Sequence, residues 1–374
     1  MPANPLTGLG DCGQSVWLDY IQRRMLEDGE LQRLIDDDGI SGVTSNPSIL
    51  LQAISEHDDY HQAIRWFAPC AASAEALYEA LVLEDIRTAA VRLHAVYAQT
   101  AMRDGYVSLE VAPRIAHDSS ATVDEARRLW RTVGRPNAMI KVPATSEGLV
   151  AMRTLISDGI NVNATLIFSP QRYGQVAEAF LDGLEARLAR GESLQGVASV
   201  ASFFVSRIDA LVDGRLEQLA VASPQHAAAA RALRGGTAVA VAQVAYQAFK
   251  ALLDTDRWAA LAAAGAQSQR LLWASTSTKD PAYSDVKYVE ALIGPDTVNT
   301  LPPQTLAAYR DHGQPMVRLE DDISGAQRRL AQLDELGIAF NEVADTLEHE
   351  GLAKFAKAYQ ALFANLGHQL EVRR

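Results

Sequence analysis

Short apolar runs recur along the chain, and each is followed by a longer stretch whose apolar residues repeat with helical spacing. This alternation of strand and helix is typical of a parallel sheet built from βα units. We count about eight such runs, the number that a closed (β/α)8 TIM barrel requires, and therefore predict that α/β fold. The predicted strands cover residues 15–19, 42–46, 106–111, 138–142, 160–168, 199–205, 270–275 and 297–301.

Two intervals between predicted strands are longer than the others. Residues 48–103 and 208–265 carry Leu and Ala at helical spacing, which predicts two helical insertions. Residues 318–374 follow the last strand and predict one or two further helices. No linker or short-period repeat divides the sequence, so we expect one barrel domain over residues 1–374, with the insertions and the tail packed outside it. Residues 146–157 predict a helix capped by Thr145 or Ser146.

Composition and charge restrict the classes of partner. The chain of 374 residues is 48% hydrophobic and 21% charged, as in ordinary soluble proteins. A net charge of -12 argues against nucleic-acid binding, which requires a basic surface. No signal-peptide pattern or membrane-spanning apolar run is present, and Cys12 and Cys70 lack disulfide or metal spacing. We therefore predict a cytoplasmic protein without nucleic-acid or membrane partners.

Lys141 stands out because it interrupts the apolar run of residues 138–143. The chain has six lysines among its 34 basic residues, so most of its positive charge is arginine. Burial of an amine favours its neutral, nucleophilic form, which can form a Schiff base with a carbonyl. The alternative is a lysine at a strand end, whose stem packs while its amine reaches water.

Other polar residues follow the predicted strands at their carboxyl ends, where such a barrel places its chemistry. A Schiff-base aldol reaction needs a nucleophilic amine, a group that dehydrates the carbinolamine, and a base for a hydroxyl proton. Lys141, Glu110 and Asp19 are residues of these three types. Amides and hydroxyls suit sugar alcohols, and an arginine fork suits a phosphate. The candidates for these roles are Asn46, Asn163, Thr165, Ser202, Arg207 and the run from Ser275 to Lys279.

Each candidate also has a structural interpretation. Asp19 is suited to cap a helix that starts at Tyr20, and Asn46 before Pro47 is common in turns. Glu110 and Arg207 are able to pair with each other or with surface charges. Thr165 suits any strand, and the hydroxyls from Ser275 onward suit a turn. The joint occurrence of these residues at matched strand ends favours the chemical interpretation.

Metal and nucleotide cofactors have no support in the sequence. His57 and His61 have helical spacing but lie among acidic residues typical of a solvated helix, without further convergent ligands. No GxxxxGK[ST] motif or strand-linked GxGxxG motif occurs. We therefore expect neither a metal site nor a bound cofactor.

Four motifs of the chain resemble those of the transaldolase family: GVTSNPS at 42–48, VSLEV at 107–111, MIKVPAT at 139–145 and INVNATL at 160–166. The resemblance extends from about residue 19 to residue 301, and the long insertions are similar to those of its long bacterial subgroup. It implies a metal-free barrel that transfers dihydroxyacetone from sedoheptulose 7-phosphate to glyceraldehyde 3-phosphate in the pentose phosphate pathway. The implied roles are Schiff-base lysine for Lys141, handling of the catalytic water for Glu110 and Thr165, cleavage base for Asp19, hydroxyl binding for Asn46, Asn163 and Ser202, apolar wall for Phe204, and phosphate ligand for Arg207.

The seventh strand departs from the family pattern. Shorter members carry an arginine soon after the serine, whereas this chain has Ser275 followed by Thr276, Ser277 and Thr278. We predict that Lys279 is the second phosphate cation, supported by the hydroxyls of Ser275 and Ser277. Two other functions remain open: an aldolase that releases free dihydroxyacetone, and a non-catalytic barrel that binds sugar phosphates. The predicted assembly is a monomer or a homodimer.

Overall fold

Eight parallel strands form a closed barrel in the computed structural model, which describes residues 4–371. Each strand pairs with its neighbours in chain order, and β8 pairs with β1 to close the ring. The predicted (β/α)8 barrel is therefore confirmed. The strands are β1 Gln14–Leu18, β2 Ile40–Val43, β3 Tyr106–Glu110, β4 Ala138–Pro143, β5 Val162–Ile167, β6 Ser199–Phe204, β7 Arg270–Ala274 and β8 Thr297–Leu301.

Seventeen α-helices surround the barrel within residues 4–371. The predicted helix at 146–157 is α8, and Thr145 caps it by accepting a hydrogen bond from the amide of Gly148 at 2.9 Å. The helices are α1 Pro5–Asp11, α2 Arg23–Glu27, α3 Glu30–Asp38, α4 Pro47–Glu56, α5 His61–Phe67, α6 Ala74–Gln99, α7 Ser119–Val133, α8 Ser146–Ser157, α9 Pro170–Ala189, α10 Ser206–Ala222, α11 Ala227–Leu233, α12 Thr237–Leu253, α13 Asp256–Ala263, α14 Lys287–Ala291, α15 Pro303–His312, α16 Ile323–Glu335 and α17 Phe340–Glu371.

The two long intervals and the tail are helical. Helices α4, α5 and α6 lie between β2 and β3, α10 to α13 lie between β6 and β7, and α16 and α17 form the tail. Helix α17 contacts α4, α6, α10 and strand β5. It lies outside the ring of strands, but it also approaches the carboxyl end of the barrel, where its Phe355 ring lies 6.0 Å from Lys141 Nζ.

The second strand differs from its predicted bounds. It covers Ile40–Val43, whereas we predicted residues 42–46. Asn46 has left the strand because its side chain accepts hydrogen bonds from the amides of Ser48 and Ile49, at 3.0 and 3.1 Å, and so caps α4. The three residues after β2 therefore form the connection into a helix that begins at Pro47.

A buried polar network lies at the amino end of the barrel, away from the predicted chemistry. Asp104 accepts hydrogen bonds from the Trp17 indole at 2.8 Å and from the Ser15 hydroxyl at 2.7 Å, and it pairs with Arg270 at 2.8 Å. Buried charges of this kind require partners. The network therefore joins β1 and β7 to the loop before β3 and supports the floor of the barrel.

Gly42→Ala is expected to destabilise the fold, because Gly42 lies against the indole of the fully buried Trp17. An added Cβ would lie 2.4 Å from Trp17 Cδ2. Overpacking of this kind costs about 1–3 kcal/mol, measurable as a lower free energy of unfolding in urea. Gly174→Ala in α9 is the matched control, because its Cβ would have no neighbour within 4 Å in the part of the chain that the structure describes. We expect that control to stabilise the protein by about 0.5–1 kcal/mol, and equal effects of both variants would contradict the packing argument.

Candidate active site

Lys141 is buried at the centre of β4, with 4% of its surface exposed. Its register partner on β3 is Glu110, and Lys141 Nζ lies 3.7 Å from Glu110 Oε2. The same amine donates a hydrogen bond to the carbonyl oxygen of Ser45 at 3.2 Å. The amine is therefore held inside the protein, so the alternative of a lysine whose amine reaches water is wrong.

Glu110 is the carboxyl group next to this amine. Burial raises the pKa of Glu110 to about 7, although the positive charge of Lys141 acts in the opposite direction. Neither carboxylate oxygen has a hydrogen-bond partner within residues 4–371. A carboxyl group whose pKa lies near neutrality is able both to donate and to accept a proton at physiological pH.

Asp19 follows β1 and lies on the same side of the barrel. The hydroxyl of Thr44 donates a hydrogen bond to Asp19 Oδ1 at 2.7 Å. Burial raises the pKa of Asp19, while Lys141 is the strongest of the groups that lower it. The helix-cap alternative is wrong, because α2 begins at Arg23 and its N-cap residue is Gln22. Asp19, Glu110 and Lys141 thus form one set of electrostatically coupled groups.

Asn163, Ser202 and Thr165 extend this set along β5 and β6. The Ser202 hydroxyl donates to Asn163 Oδ1 at 2.6 Å, and Asn163 Nδ2 donates to the Ser108 hydroxyl at 3.0 Å. Asn163 is also the register partner of Lys141. Thr165 is completely buried, and its hydroxyl has no hydrogen-bond partner within the described part of the chain. These side chains provide hydroxyl and amide groups close to the amine.

Asn46 has the structural role that turn chemistry indicated. Its side-chain oxygen is used by the cap of α4, so a bound ligand would meet mainly the amide nitrogen of this side chain. Because Ser45 accepts the hydrogen bond from Lys141, Asn46 is the residue directly after a contact of the reactive amine. Its capping role and a role in substrate binding are compatible.

Phe204 and Arg207 lie where β6 meets α10. The guanidinium of Arg207 lies 5.2 Å from the centre of the Phe204 ring, which also packs on Phe168 at 5.4 Å. Within residues 4–371 Arg207 forms no salt bridge and no side-chain hydrogen bond, so its proposed pairing with Glu110 or a surface charge is wrong. Burial lowers the pKa of Arg207, and the charges of Asp19 and Glu350 oppose this effect. An unpaired guanidinium in this place is available to an anion.

Ser275 and Lys279 belong to the turn after β7. Ser275 has a positive φ of 55°, and its hydroxyl lies 3.1 Å from that of Ser206 in the first turn of α10. Lys279 is exposed and donates a hydrogen bond to Ser277. The hydroxyls of Ser275 and Ser277 therefore have the structural role of turn residues. The charge of Lys279 is nevertheless close enough to Asp19 to lower its pKa, and the charge of Arg207 lowers the pKa of Lys279.

Helix α17 supplies residues that sequence reasoning missed. Lys141 Nζ lies 6.0 Å from the centre of the Phe355 ring. Gly351, one turn earlier, packs so closely that an added Cβ would lie 2.9 Å from Leu166 and 3.7 Å from Arg207 Nη1. Gly351, Phe355 and Ala358 form a buried face of this helix, and helical spacing alone does not identify the surface that such a face covers.

No group of three or more His, Cys, Asp or Glu side chains within residues 4–371 converges as a metal site. None of the helices in this part of the chain combines the length and the apolar character that a membrane-spanning helix needs.

Comparison with known proteins gives one consistent family. The family described as Transaldolase/Fructose-6-phosphate aldolase matches residues 16–366. "Transaldolase 2" of a Nostoc species is 45% identical over 371 residues, covering 98% of this chain and 97% of that protein. "Transaldolase" of Thiobacillus denitrificans is 47% identical over 355 residues, covering 95% and 97%, and that of Thermobifida fusca is 46% identical over 371 residues, covering 98% of each. The resemblance inferred from the four strand-end motifs is thus confirmed: the chain belongs to the transaldolase/fructose-6-phosphate aldolase family.

Proposed function

We propose that this protein is a transaldolase that transfers a dihydroxyacetone unit from sedoheptulose 7-phosphate to glyceraldehyde 3-phosphate, yielding erythrose 4-phosphate and fructose 6-phosphate. The observation that carries the proposal is the buried amine of Lys141, 3.7 Å from a carboxyl group whose pKa is about 7. Imine formation needs a nucleophilic amine and a nearby group that exchanges its proton near neutrality. The reaction belongs to the non-oxidative branch of the pentose phosphate pathway.

The first half of the reaction forms the imine. The neutral amine of Lys141 adds to the C2 carbonyl of the ketose and gives a carbinolamine. Glu110 donates its proton to the C2 hydroxyl, which leaves as water while the C=N bond forms. Thr165, on β5 next to the Lys141 strand, positions this water together with Glu110. Its hydroxyl is buried and has no hydrogen-bond partner among the described residues, which supports that role.

Carbon–carbon cleavage follows. Asp19 removes the proton of the C4 hydroxyl, the C3–C4 bond breaks, and its electron pair enters the iminium, which becomes an enamine. Erythrose 4-phosphate leaves as the aldehyde product. The raised pKa of Asp19 and its hydrogen bond from Thr44 support its role as a base with a fixed orientation.

The second half of the reaction runs these steps in reverse with a new aldehyde. The enamine carbon attacks the carbonyl carbon of glyceraldehyde 3-phosphate, and Asp19 returns its proton to the new alkoxide. Glu110 then removes a proton from water as it adds to the imine, and the amine of Lys141 leaves with fructose 6-phosphate formed. Asn46, Asn163 and Ser202 bind the sugar hydroxyls, Phe204 forms an apolar wall, and Arg207, Ser275 and Lys279 bind the phosphate.

Three broader assignments accompany this proposal. We propose a single domain over the whole chain, a monomer or homodimer, and a cytoplasmic location without nucleic-acid partners. The free thiols of Cys12 and Cys70 support a reducing compartment. Sedimentation equilibrium of the purified protein measures the number of chains in the assembly.

Product analysis with and without an acceptor tests the transferase assignment. With fructose 6-phosphate alone, we expect at most one equivalent of glyceraldehyde 3-phosphate per enzyme, because the dihydroxyacetone unit stays bound to Lys141. Addition of erythrose 4-phosphate should give many turnovers and sedoheptulose 7-phosphate. Continued release of free dihydroxyacetone without an acceptor would instead identify an aldolase. Ligand-dependent thermal stabilisation without any product would identify a non-catalytic binding protein.

A further inference from the structure

Helix α17 reaches the place where the substrate phosphate is proposed to bind. Gly351 lies against Arg207, because a Cβ built on this glycine would lie 3.7 Å from Arg207 Nη1. Phe355, four residues later, lies over the amine of Lys141. The segment between these two contacts therefore runs along the rim of the site, from the phosphate cation towards the reactive amine.

Lys354 is the one cation within that segment. It follows Gly351 by three residues, so the two positions are neighbours on the helix surface, about 5–6 Å apart. The side chain of lysine has a flexible four-carbon stem, which spans such a distance. Within residues 4–371 Lys354 forms no salt bridge and no side-chain hydrogen bond, and it is exposed at the edge of the site.

Three cations lie near one another at this rim, and within residues 4–371 no carboxylate forms a salt bridge with any of them. Partial removal from water lowers the pKa of Lys354, and the charge of Arg207 lowers it further. Lys279 lies at the surface, but partial removal of its amine from water lowers its pKa, and Arg207 and Lys354 lower it further. Asp19 and Glu350 are the carboxylates whose charge reaches Arg207. Mutual repulsion of this kind is relieved when an anion binds among the cations.

We propose that Lys354 is a specificity-determining residue, which binds the terminal phosphate of the sugar together with Arg207 and Lys279. This inference rests on the proposed function, and it identifies a cation that the seventh strand of this chain does not supply. The phosphate is held from two sides: Arg207 and Lys279 come from barrel loops, and Lys354 comes from the C-terminal helix. Docking of α17 is thereby linked to recognition of phosphorylated substrates.

Lys354→Gln tests this proposal. We expect the KM for fructose 6-phosphate to rise about 10-fold, the loss expected for one charge-assisted hydrogen bond to an anion. The competitive inhibition constant of inorganic phosphate should rise by a similar factor. The ratio of kcat/KM with glyceraldehyde 3-phosphate to that with unphosphorylated glyceraldehyde, measured as acceptors, should fall about 10-fold. A general structural defect would lower both rates together and leave this ratio unchanged.

Lys357→Gln is the matched control, because Lys357 is an exposed lysine of the same helix, three residues further on. We expect it to change the KM and the inhibition constant of phosphate less than twofold. Equal values for Lys354→Gln and the wild-type protein would overturn the proposal. Calorimetric titration of inorganic phosphate into both variants measures phosphate binding independently of catalysis. If the protein transferred no dihydroxyacetone, weaker phosphate binding by Lys354→Gln alone would still support the site, and equal binding would refute it.

Discussion

Lys141→Met is expected to lower kcat/KM by on the order of 10⁴-fold or more, because it removes the nucleophile through which every later step proceeds. Methionine retains much of the apolar stem of lysine in the buried β4 position, so loss of packing is minimised. Treatment of the wild-type protein with fructose 6-phosphate and sodium borohydride should attach sugar mass to the peptide that contains Lys141. The variant should carry no such mass.

Lys141→Arg separates charge from nucleophilicity. It retains a positive charge near Glu110, but a guanidinium stays protonated and cannot attack a carbonyl. We expect the same loss of activity and of trapping as for Lys141→Met, whereas Lys357→Gln should be trapped as efficiently as the wild-type protein. An adduct that persisted in both Lys141 variants would show that another amine forms the imine.

The strands and the reactive residues near their ends were accessible to sequence reasoning for a physical reason. In a parallel barrel every carboxyl end lies on the same rim, so polar residues that end separate apolar runs are brought together by the fold itself. Glu110 and Lys141 are distant in the sequence, but they are register partners on β3 and β4 and are therefore neighbours in the barrel. The local sequence pattern and the barrel topology together place these two side chains next to each other.

The contributions of α17 were not accessible in this way. Phe355 and Lys354 lie more than 200 residues after Lys141, and their approach to the rim depends on how a terminal helix packs against α4, α6 and α10. Amphipathic spacing identifies which face of such a helix is buried, but it does not identify the surface that covers that face. The predicted bounds of β2 were wrong for a local reason. The residues before Asn46 resemble a strand in sequence, but Asn46 itself accepts the hydrogen bonds that cap α4.

Glu110→Gln is the second substitution with a large expected effect. It should lower kcat by about 10²- to 10⁴-fold, the usual contribution of a general acid or base. In single turnovers of the wild-type protein, imine formation should slow as the pH rises above about 7, because Glu110 must be protonated to release the carbinolamine hydroxyl as water and its pKa is about 7. Glutamine cannot donate this proton, so the variant should lack that pH dependence. Rapid quenching with borohydride at several pH values measures the rate.

The same substitution should stabilise the fold at alkaline pH. The pKa of Glu110 rises from its ordinary value of 4.5 to about 7 in the folded protein, and this value already includes the attraction of Lys141. Below about pH 4.5 the carboxyl group is protonated in both states, so its ionisation does not affect stability. Above about pH 7 it is ionised in both states, and its ionisation then lowers the free energy of unfolding by roughly 3 kcal/mol. We expect urea unfolding to show Glu110→Gln more stable than the wild-type protein at about pH 8, with a gain that shrinks as the pH falls towards 5. Glu335→Gln, which replaces an exposed carboxylate on α16, should change stability by less than about 0.5 kcal/mol. A gain for Glu110→Gln that was equal at both pH values would mean that Glu110 titrates alike in the folded and unfolded chains, and the assignment of Glu110 as a proton donor near neutrality would then fail.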